Sequence, residues 1–118
     1  MDWGRDVVLV EGIFDAIRAH NIGSPIPLLG STLRVESKLF QNIVRNDSRV
    51  FLALDDDAKK KAMKVASSLN KYGIEVYDID TSGYEDVAEM PHDILQERKE
   101  TAKIINPNNR LYELIRNI

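Results

Sequence analysis

Two uninterrupted apolar runs organise the chain. Val7–Val10 (VVLV) and Val50–Leu54 (VFLAL) show no polar alternation, the pattern of strands buried on both faces. Ile74–Ile79 (IEVYDI) alternates apolar and polar residues and predicts a strand with one more exposed face. Ile26–Leu29 (IPLL) is a short strand candidate in which Pro27 points to a sheet edge or to a weak strand. Between these runs the period lengthens. Ile13, Ala16, Ile17 and His20 fall at helical spacing until Asn21, Gly23 and Pro25 break it. Ser31 or Thr32 is placed to cap a second helix carrying Val35, Leu39, Phe40, Ile43 and Val44. A third helix sets Ala62, Val65, Ala66 and Leu69 on one stripe and stops at Gly73, which can serve as a left-handed cap. A fourth is expected from about Pro91 to about Ile104, before Pro107, and a short amphipathic helix uses Leu111, Leu114 and Ile115.

Alternating strands and helices imply an α/β fold: a mostly parallel sheet of about four strands, right-handed crossovers and helices on both faces. Residues 1–105 read as one domain and residues 106–118 as a short helical extension. Trp3, Phe14, Phe40 and Phe51 are expected to pack in the core or at the terminus. The chain has 118 residues and no cysteine, which excludes disulfides and thiolate metal sites. Its net charge of -3 argues against a broad duplex-binding face, so any nucleic-acid contact has to be local, metal-assisted or shared with another domain. No apolar run reaches membrane-spanning length and the N-terminus lacks a signal-peptide pattern, so no membrane partner and a cytoplasmic location are expected.

The acids sharpen this picture. In open α/β sheets, ligands sit beyond the carboxyl ends of the strands. There the first run delivers Glu11, the second Asp55, Asp56 and Asp57, and the third Asp80, then Glu85, Asp86 and Glu89. Residues i and i+2 of extended chain point the same way, so Asp55 and Asp57 can share a site while Asp56 faces elsewhere. Clustered carboxylates repel one another unless they hold a proton or a cation, and oxygen ligands without Cys or His suit Mg²⁺ or Mn²⁺. An acid at a loop start is also a common helix cap, and Asp57 could cap the third helix. Lys60, Lys64 and Lys71 share a helix side that is either a solvated face or a phosphate rim. Ser31 and Thr32 are either caps or nucleotide neighbours.

The stretch VVLVEGIFDAI, followed about forty residues later by FLALDDDAKKKAMKVA, resembles the Toprim domain, and more specifically that of compact bacterial-type DNA primases such as those of phages. The Glu-Gly-x-x-Asp motif matches Glu11, Gly12 and Asp15; the Asp-x-Asp motif matches Asp55 and Asp57. LLGSTL resembles the primase loop that reads Leu-Gly-Thr, and GYEDVAEM resembles the third acidic motif. There Asp86 carries over, while Val87 and Ala88 stand where the usual Pro and second acid would be, and Glu89 is a candidate replacement. DDDAKK also lacks the glycine that opens the helix in many primases.

The resemblance implies a Toprim-like fold and metal-dependent nucleotidyl transfer, with RNA primers made on single-stranded DNA from ribonucleoside triphosphates. Glu11, Asp55 and Asp57 would be catalytic, and the same three with Asp86 would hold Mg²⁺ or Mn²⁺. Asp15 and Glu89 are possible additional acids, and Ser31, Thr32, Lys60 and Lys64 possible nucleotide or phosphate contacts. A replicative helicase, or primase domains not contained in this sequence, would be further partners in a bacterial cytoplasm, including that of a phage-infected cell. Two rival readings keep the same acids: a Toprim nuclease, and a non-catalytic module of a replication or recombination assembly. Since the sequence contains neither the zinc-binding segment nor the basic subdomain of primases, the isolated chain reads as a fragment of an active enzyme or a small protein working with partners.

Overall fold

The computed structural model describes residues 3–29, 33–34, 36–55 and 58–105. Ser31, Thr32, Val35, Asp57 and the expected C-terminal helix lie outside the described residues. The chain runs β1 (Val7–Val10), α1 (Ile13–Ala19), β2 (Ser24–Pro27), α2 (Lys38–Arg45), β3 (Val50–Ala53), α3 (Lys59–Asn70), β4 (Val76–Asp78), a 3-10 turn (Val87–Glu89), α4 (His92–Glu100) and β5 (Lys103–Ile104). The sheet order is β2-β1-β3-β4-β5; only the β4–β5 pairing is antiparallel.

The continuous apolar strands are explained by burial on both sides. Alternate residues Val7, Leu9, Val50, Leu52 and Val76 pack with Phe40, Ile43, Val65 and Leu69 of α2 and α3. The other set, Val8, Val10, Phe51 and Ala53, packs with Ala19, Val87, Met90 and Leu95 on the face covered by α1, the 3-10 turn and α4. Pro27 lies in β2, the edge strand, as its missing N–H requires. Gly73 adopts φ +80 beyond α3, the left-handed position expected of it.

Several elements depart from the sequence-based expectation. Helix α2 begins at Lys38, capped by the Ser37 hydroxyl, which accepts the Phe40 N–H at 3.1 Å. Helix α4 stops at Glu100: Thr101 turns its hydroxyl back onto the Glu97 carbonyl, and Lys103–Ile104 become a fifth strand instead of the last helical turn. The Ile105 N–H then donates to the Val76 carbonyl at 2.7 Å. On α1 the buried residues are Asp15 and Ala19, with Ala16 partly buried beside them. Ile13, Phe14 and Ile17 face outward, Phe14 with 78% of its surface exposed. Small residues let α1 lie close to the sheet and the 3-10 turn, and the large ones are displaced to the outside. Phe14→Ser is therefore expected to change folding stability by no more than about 0.5 kcal/mol, measured by urea unfolding.

At the amino end of the sheet, Asp6 joins three elements. Arg49, just before β3, donates to both of its carboxylate oxygens at 2.9 Å, and Lys99 of α4 pairs with it at 2.9 Å. Burial pushes the Asp6 carboxyl up, but the hydrogen bonds and charges of Arg49 and Lys99 outweigh this and hold it below the usual range. A carboxyl lowered on folding contributes stability above its unfolded value, near pH 4, that is lost as pH falls through the folded value. Asp6→Asn should therefore lower the melting temperature at pH 7, and the gap to wild type should close as pH falls below about 4.

Candidate functional site

The strand order places the site. Chain connections leave β1 toward β2 on one side and reach β3 on the other, so the crevice between the carboxyl ends of β1 and β3 is the topological switch point. Val10 lies opposite Ala53 in this parallel pair, so both strands deliver an acid to the same edge of the sheet, Glu11 one residue and Asp55 two residues past this last pair. The Asp55 carbonyl accepts the Ala58 N–H at 2.9 Å, which turns the chain from β3 into α3. The second acid of the Asp-x-Asp pair, Asp57, lies outside the described residues, as do Ser31 and Thr32.

Glu11 is mostly enclosed. Its Oε2 receives the Lys61 ammonium at 3.3 Å, and the two side chains are 22% and 21% exposed. Its Oε1 is buried without a hydrogen-bond partner among the described residues. A buried acceptor without a donor is a costly arrangement. Lys61 was missed by sequence reasoning, which favoured Lys60 and Lys64; both of those are exposed to solvent. The signal was nonetheless there: Lys61, Val65 and Leu69 fall at i, i+4, i+8, so the buried stripe of α3 extended one turn back lands on Lys61.

Asp15 plays a different part from the rim acid expected of it. It is only 7% exposed, and both carboxylate oxygens are occupied by backbone donors. Gly12 N–H donates to Oδ2 at 3.0 Å and Ala88 N–H to Oδ1 at 2.9 Å. Asp15 thus closes the first turn of α1 and clamps the 3-10 turn against it. This clamp brings the third acidic segment to the start of α1, close behind Glu11 in the chain. Asp86 caps the 3-10 turn, its Oδ1 accepting the Glu89 N–H at 3.1 Å. The Glu89 carboxylate is exposed and accepts the Glu85 N–H at 3.4 Å.

Next to Asp55, at the carboxyl ends of β3 and β4, opens a cleft of about 560 Å³ lined by Asp55, Asp78, Asp80, Arg98 and Lys103 among others. The Ser82 N–H, donating to Asp80 Oδ1 at 2.9 Å, lowers the Asp80 carboxyl below its usual range, aided by the Ser82 hydroxyl and Arg98 against a small effect of burial. Arg98 also donates to the Asp80 carbonyl at 2.7 Å, tying α4 to this loop. Among the described residues no three carboxylate or imidazole side chains stand close enough to hold a metal ion. The donors that are described fit a hard cation by their chemistry: oxygen only, with an orphaned, buried Glu11 Oε1 at the switch point.

A Toprim-like family model matches residues 8–107, and the chain belongs to that family. Its fold is shared with the crystal structure of the zinc-binding and RNA polymerase domains of the Aquifex aeolicus primase, with TM-score 0.65 and 24% sequence identity. That similarity covers 84% of this chain and 26% of the primase chain, so this chain spans about a quarter of the primase's solved length. Among curated protein sequences none matches. No helix among the described residues is long and apolar enough to cross a membrane.

Proposed function

We propose that this chain is the metal-dependent nucleotidyl-transfer module of a bacterial-type DNA primase, making RNA primers on single-stranded DNA. The observation that carries the reading is the carboxylate of Glu11, enclosed at the β1–β3 switch point with one oxygen unpartnered among the described residues, in a chain of the Toprim-like family. The likeness to a primase structure supports the choice of primase within that family. Glu11, Asp55, Asp57 and Asp86 would hold Mg²⁺ or Mn²⁺, which when bound would neutralise triphosphate oxygens and lower the pKa of the attacking 3′-hydroxyl.

The chain's own residues supply the frame. Strands β1 and β3 fix Glu11 and Asp55 on rigid backbone, and Asp15 holds the Asp86 segment by its backbone. Glu11 is the candidate to take a proton from the attacking hydroxyl or its water, if the substrate comes within hydrogen-bond reach. Lys60 and Lys64, exposed along α3, are candidate phosphate contacts, as are Ser31 and Thr32. Glu89 faces solvent and is the weakest ligand candidate. Single-stranded DNA and ribonucleoside triphosphates are the substrates this reading requires. Helicase and additional primase domains belong to it as partners, in a bacterial or phage-infected cytoplasm.

The test is incubation of the chain, and of any longer protein that contains it, with single-stranded DNA, labelled ribonucleotides and Mn²⁺ or Mg²⁺. Metal-dependent short RNA products are expected, and Asp55→Asn and Asp57→Asn should abolish them together with metal binding. Cleaved DNA without RNA products would make the protein a nuclease using the same acids. Metal binding and products that survive both substitutions would remove the site assignment.

A further inference from the structure

We propose that Lys61 is an internal counter-cation that occupies Glu11 when no divalent ion is bound and must leave when one binds. The inference rests on the metal-site reading above and adds an element to it: an exchange between ammonium and metal on one carboxylate.

Three observations carry it. The ion pair crosses from the first turn of α3 to the end of β1, fifty residues away in the chain, with Nζ 3.3 Å from Oε2. Both side chains are close to four-fifths covered, so water screens the pair weakly. The other carboxylate oxygen, Oε1, is enclosed and unpartnered among the described residues, so Lys61 satisfies only half of the group. An enclosed carboxylate needs a compensating cation, and losing one without replacement is strongly unfavourable. The folded chain is therefore expected to keep some cation on Glu11 at all times.

Lysine suits a cation that must move. Its charge sits at the end of a flexible four-carbon stem, without the fixed fork that arginine would set against a carboxylate. Its position in the first turn also works against the helix dipole, so α3 itself does not favour it there. A divalent ion on the same carboxylate would repel the ammonium and take over its neutralising role. Metal affinity is then set by a competition, and by linkage anything that removes the lysine strengthens metal binding. The released ammonium remains on the rim of the site, available to phosphate oxygens.

Mn²⁺ binding to the full chain, followed by the paramagnetic resonance of the free ion without nucleotide, tests this. Lys61→Met is expected to bind Mn²⁺ about tenfold more tightly than wild type. It should also melt at a lower temperature than wild type without metal, and be stabilised more by Mn²⁺. Lys61→Arg, which retains the charge, should bind no more tightly than wild type. If Lys61→Met does not fold, Lys61→Gln is read by the same measurements. If wild type binds Mn²⁺ and the neutral variant binds it equally or more weakly, the exchange is overturned while the metal-site reading stands. If neither binds Mn²⁺, the metal-site reading falls and the exchange falls with it. Mn²⁺ bound by the neutral variant but not by wild type would support the proposal in its strongest form.

Discussion

Replacing Asp15 with alanine is expected to cost about 3 kcal/mol of folding stability and to lower the melting temperature by about 10 °C. The carboxylate accepts one backbone N–H from Gly12 and one from Ala88, and it is itself buried. Hydrogen bonds to a charged acceptor are worth about 1.5–3 kcal/mol each, and truncation leaves both donors unpaired in a partly closed region. Asp15→Asn keeps one acceptor oxygen and should lose roughly half as much. The second bond joins residues 73 apart in the chain, so its loss should free the 3-10 turn. Hydrogen exchange at the Ala88 amide is expected to rise more than at the central strands, while Mn²⁺ affinity of the folded Asp15→Asn protein stays close to wild type. A stability loss under about 0.5 kcal/mol would show that the clamp is not what holds the segment. Loss of Mn²⁺ binding in a folded Asp15→Asn protein would instead return Asp15 to the ligand set.

The contrast between Glu11 and Asp15 shows what the sequence carries and where it stops. Strands β1 and β3 were legible because four consecutive apolar residues, buried on alternating faces, leave a signal that needs no partner to interpret. The position of Glu11 followed from them, since an acid directly after a buried strand emerges at the sheet's carboxyl edge. Asp15 has the same charge and stands four residues on, yet its role depends on a backbone amide from residue 88, and no local pattern encodes that pairing. Strand β5 was hidden for a related reason. Two residues between a helix and a proline have no period, and the Val76 carbonyl and the neighbouring β4 edge make them a strand. On α1 the spacing of Ile13 and Ile17 was read correctly as helical, but which face turns inward was decided by how closely the 3-10 turn approaches the alanines. The candidate site was thus legible as a set of strand ends; its supporting contacts were fixed by tertiary structure.

Gly23→Ala is expected to destabilise the fold by about 3 kcal/mol, because the space for a single methyl group is already filled by backbone. A Cβ built at this position would lie 2.5 Å from the Asp6 carbonyl oxygen and 2.8 Å from Val8 Cγ2. An alanine methyl has no rotamer with which to escape. The same carbonyl accepts the Ser24 N–H at 2.7 Å, so relief requires moving β2 away from β1 across the pairing that runs from Val7↔Ser24 to Val10↔Pro27. Gly73→Ala is the matched control. Nothing lies within 4 Å of its Cβ position, and its cost is only that of φ +80, about 1 kcal/mol. Urea unfolding of the two variants separates steric from conformational strain; equal losses would contradict the crowding at Gly23. The consequence reaches the site as well. Beyond β2, the Leu28 and Leu29 N–H groups donate to the carbonyls of Val10 and Glu11 at 2.8 and 2.9 Å, so a displaced β2 pulls on the backbone that aims Glu11. Gly23→Ala should therefore weaken Mn²⁺ binding under conditions where it is still folded, whereas Gly73→Ala, at the far end of α3, should leave it unchanged.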